Sequence, residues 1–64
     1  MDNNIYRVIM SRKMTQANLA QIVGVRREYI NRIINRKVTP TVPLGMRIAK
    51  ALKVPMEDLF INID

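Results

Sequence analysis

The sequence predicts a single all-α domain of five helices, and two observations predict it. Apolar residues recur at i, i+3 and i+4 through successive segments, the spacing of helices with one buried side. Helix-stopping residues (Gly24, Pro40, Pro55) fall between the later segments, with capping residues close by. Sixty-four residues fit one domain over positions 1–64. A chain this short buries only about 60% of its unfolded surface, so its stability is expected to be modest unless it oligomerises.

The first helix is carried by Ile5, Val8 and Ile9, with Asn3 or Asn4 as its cap and Ser11-Arg12-Lys13 placing cations at its C-terminal end. Thr15 caps the second helix, Gln16 to Val23. Leu19, Ile22 and Val23 form its stripe, Ala20 lies beside them, and Gly24 ends it as a left-handed residue would. Tyr29, Ile30, Ile33 and Ile34 line one side of the third helix. Arg27, Glu28, Asn31, Arg32 and Asn35 occupy the other side, which has no large apolar residue. Pro40 breaks the chain. Thr41 caps a fourth helix with Pro43 in its first turn; Leu44, Ile48, Ala51 and Leu52 face inward while Arg47 and Lys50 point away. Gly45 inside that helix costs about 1 kcal/mol relative to alanine, which suggests a close backbone approach. Pro55 opens a short fifth helix, Met56 to Phe60, with Glu57 and Asp58 in its first turn. The tail, residues 61–64, alternates apolar and polar, a weak strand signal.

Composition excludes much chemistry. There is no cysteine and no histidine, and the five acidic residues are scattered, so no disulfide, zinc site or other metal site is expected. The one serine, Ser11, has no base near it in any recognisable constellation, and no catalytic residue is assigned. The chain is also too small to build a typical substrate cavity, so it is not expected to be an enzyme, and no cofactor or small-molecule ligand is expected. Eleven basic residues against five acidic ones give a net charge of +6, which points to a polyanionic partner. No apolar run approaches the roughly 18 residues of a membrane span, and the N-terminus lacks the pattern of a secretion signal. A cytoplasmic protein is expected.

Two short helices joined by a tight glycine turn form a helix-turn-helix, here over residues 16–35. With the apolar side of the third helix held by the domain, its polar side can enter the DNA major groove, about 12 Å wide. Arginine can pair with guanine O6 and N7, and asparagine with adenine, so Arg27, Arg32 and Asn31 are of the right types on the right side. Glu28 has two readings: it accepts from cytosine N4, or it pairs with Arg32 at i+4, and the second needs no partner molecule. Gln16, at the start of the second helix, reaches DNA backbone or base, or is a solvated first-turn residue.

Together, Thr15-Gln16-x-x-Leu19-Ala20-x-x-Val23-Gly24-Val25, Ile30-x-x-Ile33, Pro40, Ile48-Ala49-x-Ala51-Leu52 and Asp58-Leu59-Phe60 resemble the Cro/CI-type helix-turn-helix family, also called XRE. The resemblance runs from about residue 5 to residue 60. It implies a compact, five-helix, lambda-repressor-like fold that binds operator DNA, usually as a dimer. By position it implies that Gln16 touches backbone and an end base. Arg27, Glu28 and Arg32 would face bases, and Thr15, Asn35 and Lys37 would touch phosphates.

Three positions depart from the family pattern. Arg26 stands where Ser or Thr usually caps the reading helix, a loss of roughly 1 kcal/mol; a phosphate contact is expected of it instead. Position 34, commonly glutamate paired with an arginine of the first helix, is Ile34, and the matching position is Ile9; the two are expected to touch in the core. Position 36, commonly a glycine in the left-handed conformation, is Arg36. Either Arg36 or Asn35 must take that conformation, and asparagine tolerates it better. Arg36 also adds a cation beside the phosphate contacts.

The resulting expectation is a sequence-specific regulator of transcription, a repressor, that inserts its third helix in the major groove of double-stranded DNA. Gln16, Arg27, Glu28, Asn31 and Arg32 read bases, and Thr15, Arg26, Asn35, Arg36 and Lys37 hold phosphates. The competing reading is a protein-interaction module, antirepressor or antitoxin-like, on the same scaffold. A membrane-surface helix is disfavoured, because the third helix spans only about nine residues and its apolar side is claimed by the other helices. A weak homodimer through the C-terminal part is expected, formed by the end of the fourth helix, the fifth helix and the Ile61–Ile63 tail.

Overall fold

A computed structural model describes residues 2–61. The order along the chain is β1 (Asp2–Asn3), α1 (Ile5–Ser11), α2 (Gln16–Val23), α3 (Arg27–Ile34), α4 (Val42–Leu52), α5 (Met56–Leu59) and β2 (Phe60–Ile61). The five helices stand where their apolar stripes place them, with one difference: Ile22, expected on the inner stripe of α2, is 60% exposed, and Ala20 is buried beside Leu19 and Val23 instead. The two short strands add a feature that an all-helical reading lacks. They pair antiparallel, Asp2 opposite Ile61 and Asn3 opposite Phe60, so α5 is one residue shorter than expected and Phe60 belongs to β2. Residues 62–64 of the tail lie outside the described residues.

Helix starts follow local hydrogen bonding. The Thr15 hydroxyl accepts from the Asn18 N–H at 3.0 Å, while the Thr15 N–H donates to the Asn18 side-chain oxygen at 3.1 Å, a reciprocal cap on α2. The Thr41 hydroxyl accepts from the Leu44 N–H at 3.3 Å at the start of α4. At α1 the residue in the cap position, Asn4, makes no cap bond with its side chain. Asn3 does the work instead, its side-chain oxygen accepting from the Ile5 N–H at 3.2 Å.

Helix ends share one device. A residue in the left-handed conformation follows each of α1 to α4: Lys13 (φ 56°), Gly24 (φ 81°), Arg36 (φ 62°) and Lys53 (φ 58°). The next N–H then reaches back five residues, Met14 to Ile9 at 2.9 Å, Val25 to Ala20 at 3.0 Å, Lys37 to Arg32 at 2.8 Å and Val54 to Ala49 at 3.1 Å. This closure satisfies carbonyls that the helix leaves without partners. Arg36, rather than Asn35, takes the strained conformation, since Asn35 sits at φ −86°. Asn35 is still in the last turn, its N–H bonded to the Asn31 carbonyl at 3.0 Å. Only a left-handed turn one residue later lets Lys37 reach Arg32. At three of the four ends the residue after the turn is apolar and packs on the core: Met14, Val25 and Val54. At α3 it is the exposed Lys37.

Ile5, Ile9, Leu19, Ile30, Ile33, Ile48, Leu52 and Leu59 are the largest fully buried side chains, and α1 through α5 each contribute to them. Ile9 lies inside this cluster and Ile34 is half-buried against it, so both side chains serve the core. Gly45 is where α4 meets the C-terminal segment. A Cβ there would lie 3.0 Å from Met56 Cε and 3.4 Å from Phe60 Cε2.

Candidate nucleic-acid interface

The turn Gly24-Val25-Arg26 sets α3 against α2, with Val25 half-buried as the inward anchor. Ile30 and Ile33 fix the inner side of α3 in the core, and Tyr29 and Ile34 pack half-buried beside them. The outer side is left to Arg27, Glu28, Asn31, Arg32 and Asn35, all exposed. No large apolar side chain interrupts it. The face is therefore a rigid row of hydrogen-bonding groups, and only Glu28 opposes the cations Arg26, Arg27, Arg32, Arg36 and Lys37 around it.

Glu28 does not pair with Arg32. Its ion pair is with the neighbouring Arg27, Nη2 to Oε1 at 3.9 Å, with the two side chains 60% and 65% exposed. So long and exposed a pair contributes little to stability. Arg32 is left exposed without that partner.

Gln16 and Asn31 are brought together across the turn. The Asn31 side-chain amide donates to the Gln16 side-chain oxygen at 3.2 Å. With its oxygen engaged, Gln16 keeps its amide donors, and Asn31 keeps an acceptor oxygen. Thr15 is held by its capping role, and the Asn35 amide donates to the Asn31 backbone carbonyl at 2.9 Å, so both side chains are oriented within the protein. Arg26 lacks a side-chain cap bond, as its residue type predicts. It lies instead along an open groove of about 550 Å³ with Val25, Glu28, Tyr29 and Arg32. The concavity is an open surface groove.

Two contributors were missed by reading the sequence. Tyr29 lies between Arg26 and Arg32 at steps of three, a spacing that could have flagged a mixed aromatic and cationic edge. Asn3 was readable only as a cap of α1, and nothing in the sequence signalled its contact with α3. Its side-chain amide donates to the Ile33 backbone carbonyl at 2.9 Å, thirty residues away, and so holds the last turn of α3. Among the described residues no group of three or more His, Cys, Asp and Glu could hold a metal ion, and no helix is long and apolar enough to cross a membrane.

Comparison with known proteins agrees with this geometry. A family model described as "Helix-turn-helix" matches residues 5–59. Two uncharacterized HTH-type transcriptional regulators of Archaeoglobus fulgidus are similar to the chain. One is 46% identical over 51 residues, 80% of this chain and 73% of the relative. The other is 44% identical over 48 residues, 75% of this chain and 68% of the relative. An uncharacterized HTH-type transcriptional regulator of Methanocaldococcus jannaschii is 41% identical over 51 residues, 80% of this chain and 77% of the relative.

Proposed function

The chain belongs to the XRE-type helix-turn-helix family, and from that premise we propose that it is a DNA-binding regulator of transcription, a repressor that lays α3 in the major groove of its operator. The observation that carries the reading is the outer side of α3: five exposed polar or charged residues on a helix whose inner side is locked by Ile30 and Ile33. A helix so held meets base edges without first having to be ordered, which keeps the entropic cost of binding low.

In this reading Arg27 and Arg32 donate to guanine, and Glu28 leaves Arg27 to accept from cytosine. Gln16 and Asn31 act as one linked pair. Gln16 offers a donor to phosphate or to a purine acceptor, and Asn31 offers an acceptor to adenine N6 or cytosine N4. Thr15, Arg26, Asn35, Arg36 and Lys37 hold phosphates on either side, Arg26 from the rim of the groove it shares with Tyr29. A weak homodimer through the end of α4, α5 and the tail would set two reading helices about 34 Å apart, the spacing of half-sites one turn of duplex apart. The part of that idea resting on Ile61 and Ile63 concerns side chains outside the described ones.

The test is selection of bound duplexes from a random pool, followed by affinity measurement at several salt concentrations. One enriched sequence bound far more tightly than random duplex, with affinity falling steeply as salt rises, is expected. Equal affinity for selected and random duplex would overturn sequence-specific reading. Concentration-independent monomer mass on DNA and off it would overturn the dimer.

A further inference from the structure

None of the residues proposed to contact bases or phosphates lies on the face formed by the end of α2 and by α4. Ile22, Val42 and Met46 are 60%, 66% and 57% exposed, three of the five large exposed apolar side chains among the described residues. Two open grooves meet here. One, of about 250 Å³, is lined by Ile22, Val23, Arg47, Lys50 and Ala51. The other, of about 440 Å³, is lined by Pro43, Met46, Arg47 and Lys50. Arg47 and Lys50 belong to both, and neither groove includes a residue of α3.

We propose that this face is a docking site for an acidic, amphipathic helix of a protein partner, whose apolar side covers Ile22 and Met46 and whose carboxylates pair with Arg47 and Lys50. The charge pattern selects the occupant. Neither α2 nor α4 contains an acidic residue, so the two cations at the grooves meet no carboxylate from either wall. A partner that covers the apolar floor must bring negative charge of its own. Nucleic acid would supply charge but no apolar surface to cover Ile22, Val42 and Met46. A second copy packed face to face would set Arg47 and Lys50 against their own counterparts. Docked head to tail, a second copy could offer Glu57 and Asp58 of α5, yet that helix has no apolar side chain to spare. Leu59 is buried, and Met56 packs against the core.

Because the grooves exclude α3, the partner and DNA can be bound at once. The partner then tethers another protein to the operator, or draws on the regulator without touching its reading face.

The experiment is selection of displayed 15-residue peptides on the full chain, followed by affinity measurement of synthetic copies. The expected peptides carry two apolar residues one helical turn apart, flanked by Asp or Glu, and bind less tightly as salt rises. The double variant Arg47→Glu, Lys50→Glu should weaken them by roughly tenfold or more, because it turns two attractions into two repulsions. Met46→Gln combined with Ile22→Gln should weaken them similarly while leaving affinity for selected duplex DNA within about twofold. Peptides without acidic residues, or peptides indifferent to the charge reversal, would overturn the proposal. A homodimer in ultracentrifugation that Met46→Gln abolishes would assign the face to a second copy instead. Loss of DNA binding in the Ile22, Met46 double variant would place the face within the DNA site. Peptide affinity is read without DNA, so failure here and failure of the DNA-reading proposal are separate results.

Discussion

Replacing Arg36 by glycine should make the protein more stable and its grip on DNA weaker. Arg36 sits at φ 62°, a conformation that costs a side-chain-bearing residue about 1–2 kcal/mol. Glycine removes that cost but returns about 0.5–1 kcal/mol of extra chain entropy to the unfolded state. The hydrogen bonds of the turn use only main-chain groups, Arg36 N–H to Ile33 at 3.1 Å and Lys37 N–H to Arg32 at 2.8 Å, and survive the exchange. Whatever contact the exposed Arg36 side chain makes is lost equally in an alanine variant, so the strain is read as the difference between the glycine and alanine variants. The net expectation is about 0.5–1 kcal/mol of added stability, or some 2–8 °C in Tm for a domain of this size. Thermal unfolding followed by circular dichroism measures it. Arg36→Ala is the control, because it removes the same charge and keeps the strained backbone. Both variants should lower the salt slope of DNA binding by about one, as loss of one phosphate contact does. Only the glycine variant should melt higher. Equal melting of the alanine and glycine variants would refute the strain argument, and an unchanged salt slope would remove Arg36 from the phosphate set.

Arg27→Ala should cost on the order of 1–3 kcal/mol on the selected operator and relax one base position, and an equal loss on random duplex would contradict a reading role. Arg26→Thr should add about 1 kcal/mol of stability by capping α3 while weakening DNA binding; an unchanged Tm would mean that the start of α3 is already satisfied. Ile9→Ala alone should cost about 2–5 kcal/mol, since the side chain is 1% exposed. Combined with Ile34→Ala it should show a coupling of about 0.5 kcal/mol or more if the two side chains touch, and strict additivity would separate them. The linked amides are tested in the same way: Gln16→Ala and Asn31→Ala should be non-additive for operator affinity, and independent losses would break the pair.

What the sequence disclosed depended on how far each residue's partner lay along the chain. Thr15, Gly24 and Thr41 announce helix boundaries because their hydrogen bonds close within a few residues. The inner row of α3 was legible for the same reason, as helical spacing alone puts Ile30 and Ile33 on one side. The strand pair was legible only at one end: the alternation of the tail signalled a strand there, but its partner was hidden, because Asp2 and Asn3 meet Phe60 and Ile61 only after the whole chain has folded. Glu28 shows a subtler limit. Spacing of four made Arg32 its natural partner, yet the adjacent Arg27 reached it, at a distance too long to matter energetically. The choice of Arg36 over Asn35 as the left-handed residue was decided by register. Residue preference favoured asparagine, but the last turn of α3 already used Asn35. For the candidate site, the residue types and their side of the helix were readable, while the bond joining Gln16 to Asn31 needed the angle between two helices.

The amide of Asn3 grips a main-chain carbonyl at Ile33, not a side chain. The last turn of α3 is therefore steadied by a contact indifferent to what the outer positions carry. Arg27, Glu28, Asn31 and Arg32 can be exchanged for other polar residues without retuning that hold or the buried isoleucines beneath it. On the proposed reading, specificity would be modular: the scaffold would tolerate reprogramming of its target sequence, and an altered operator preference could arise through a few surface substitutions with little penalty to folding.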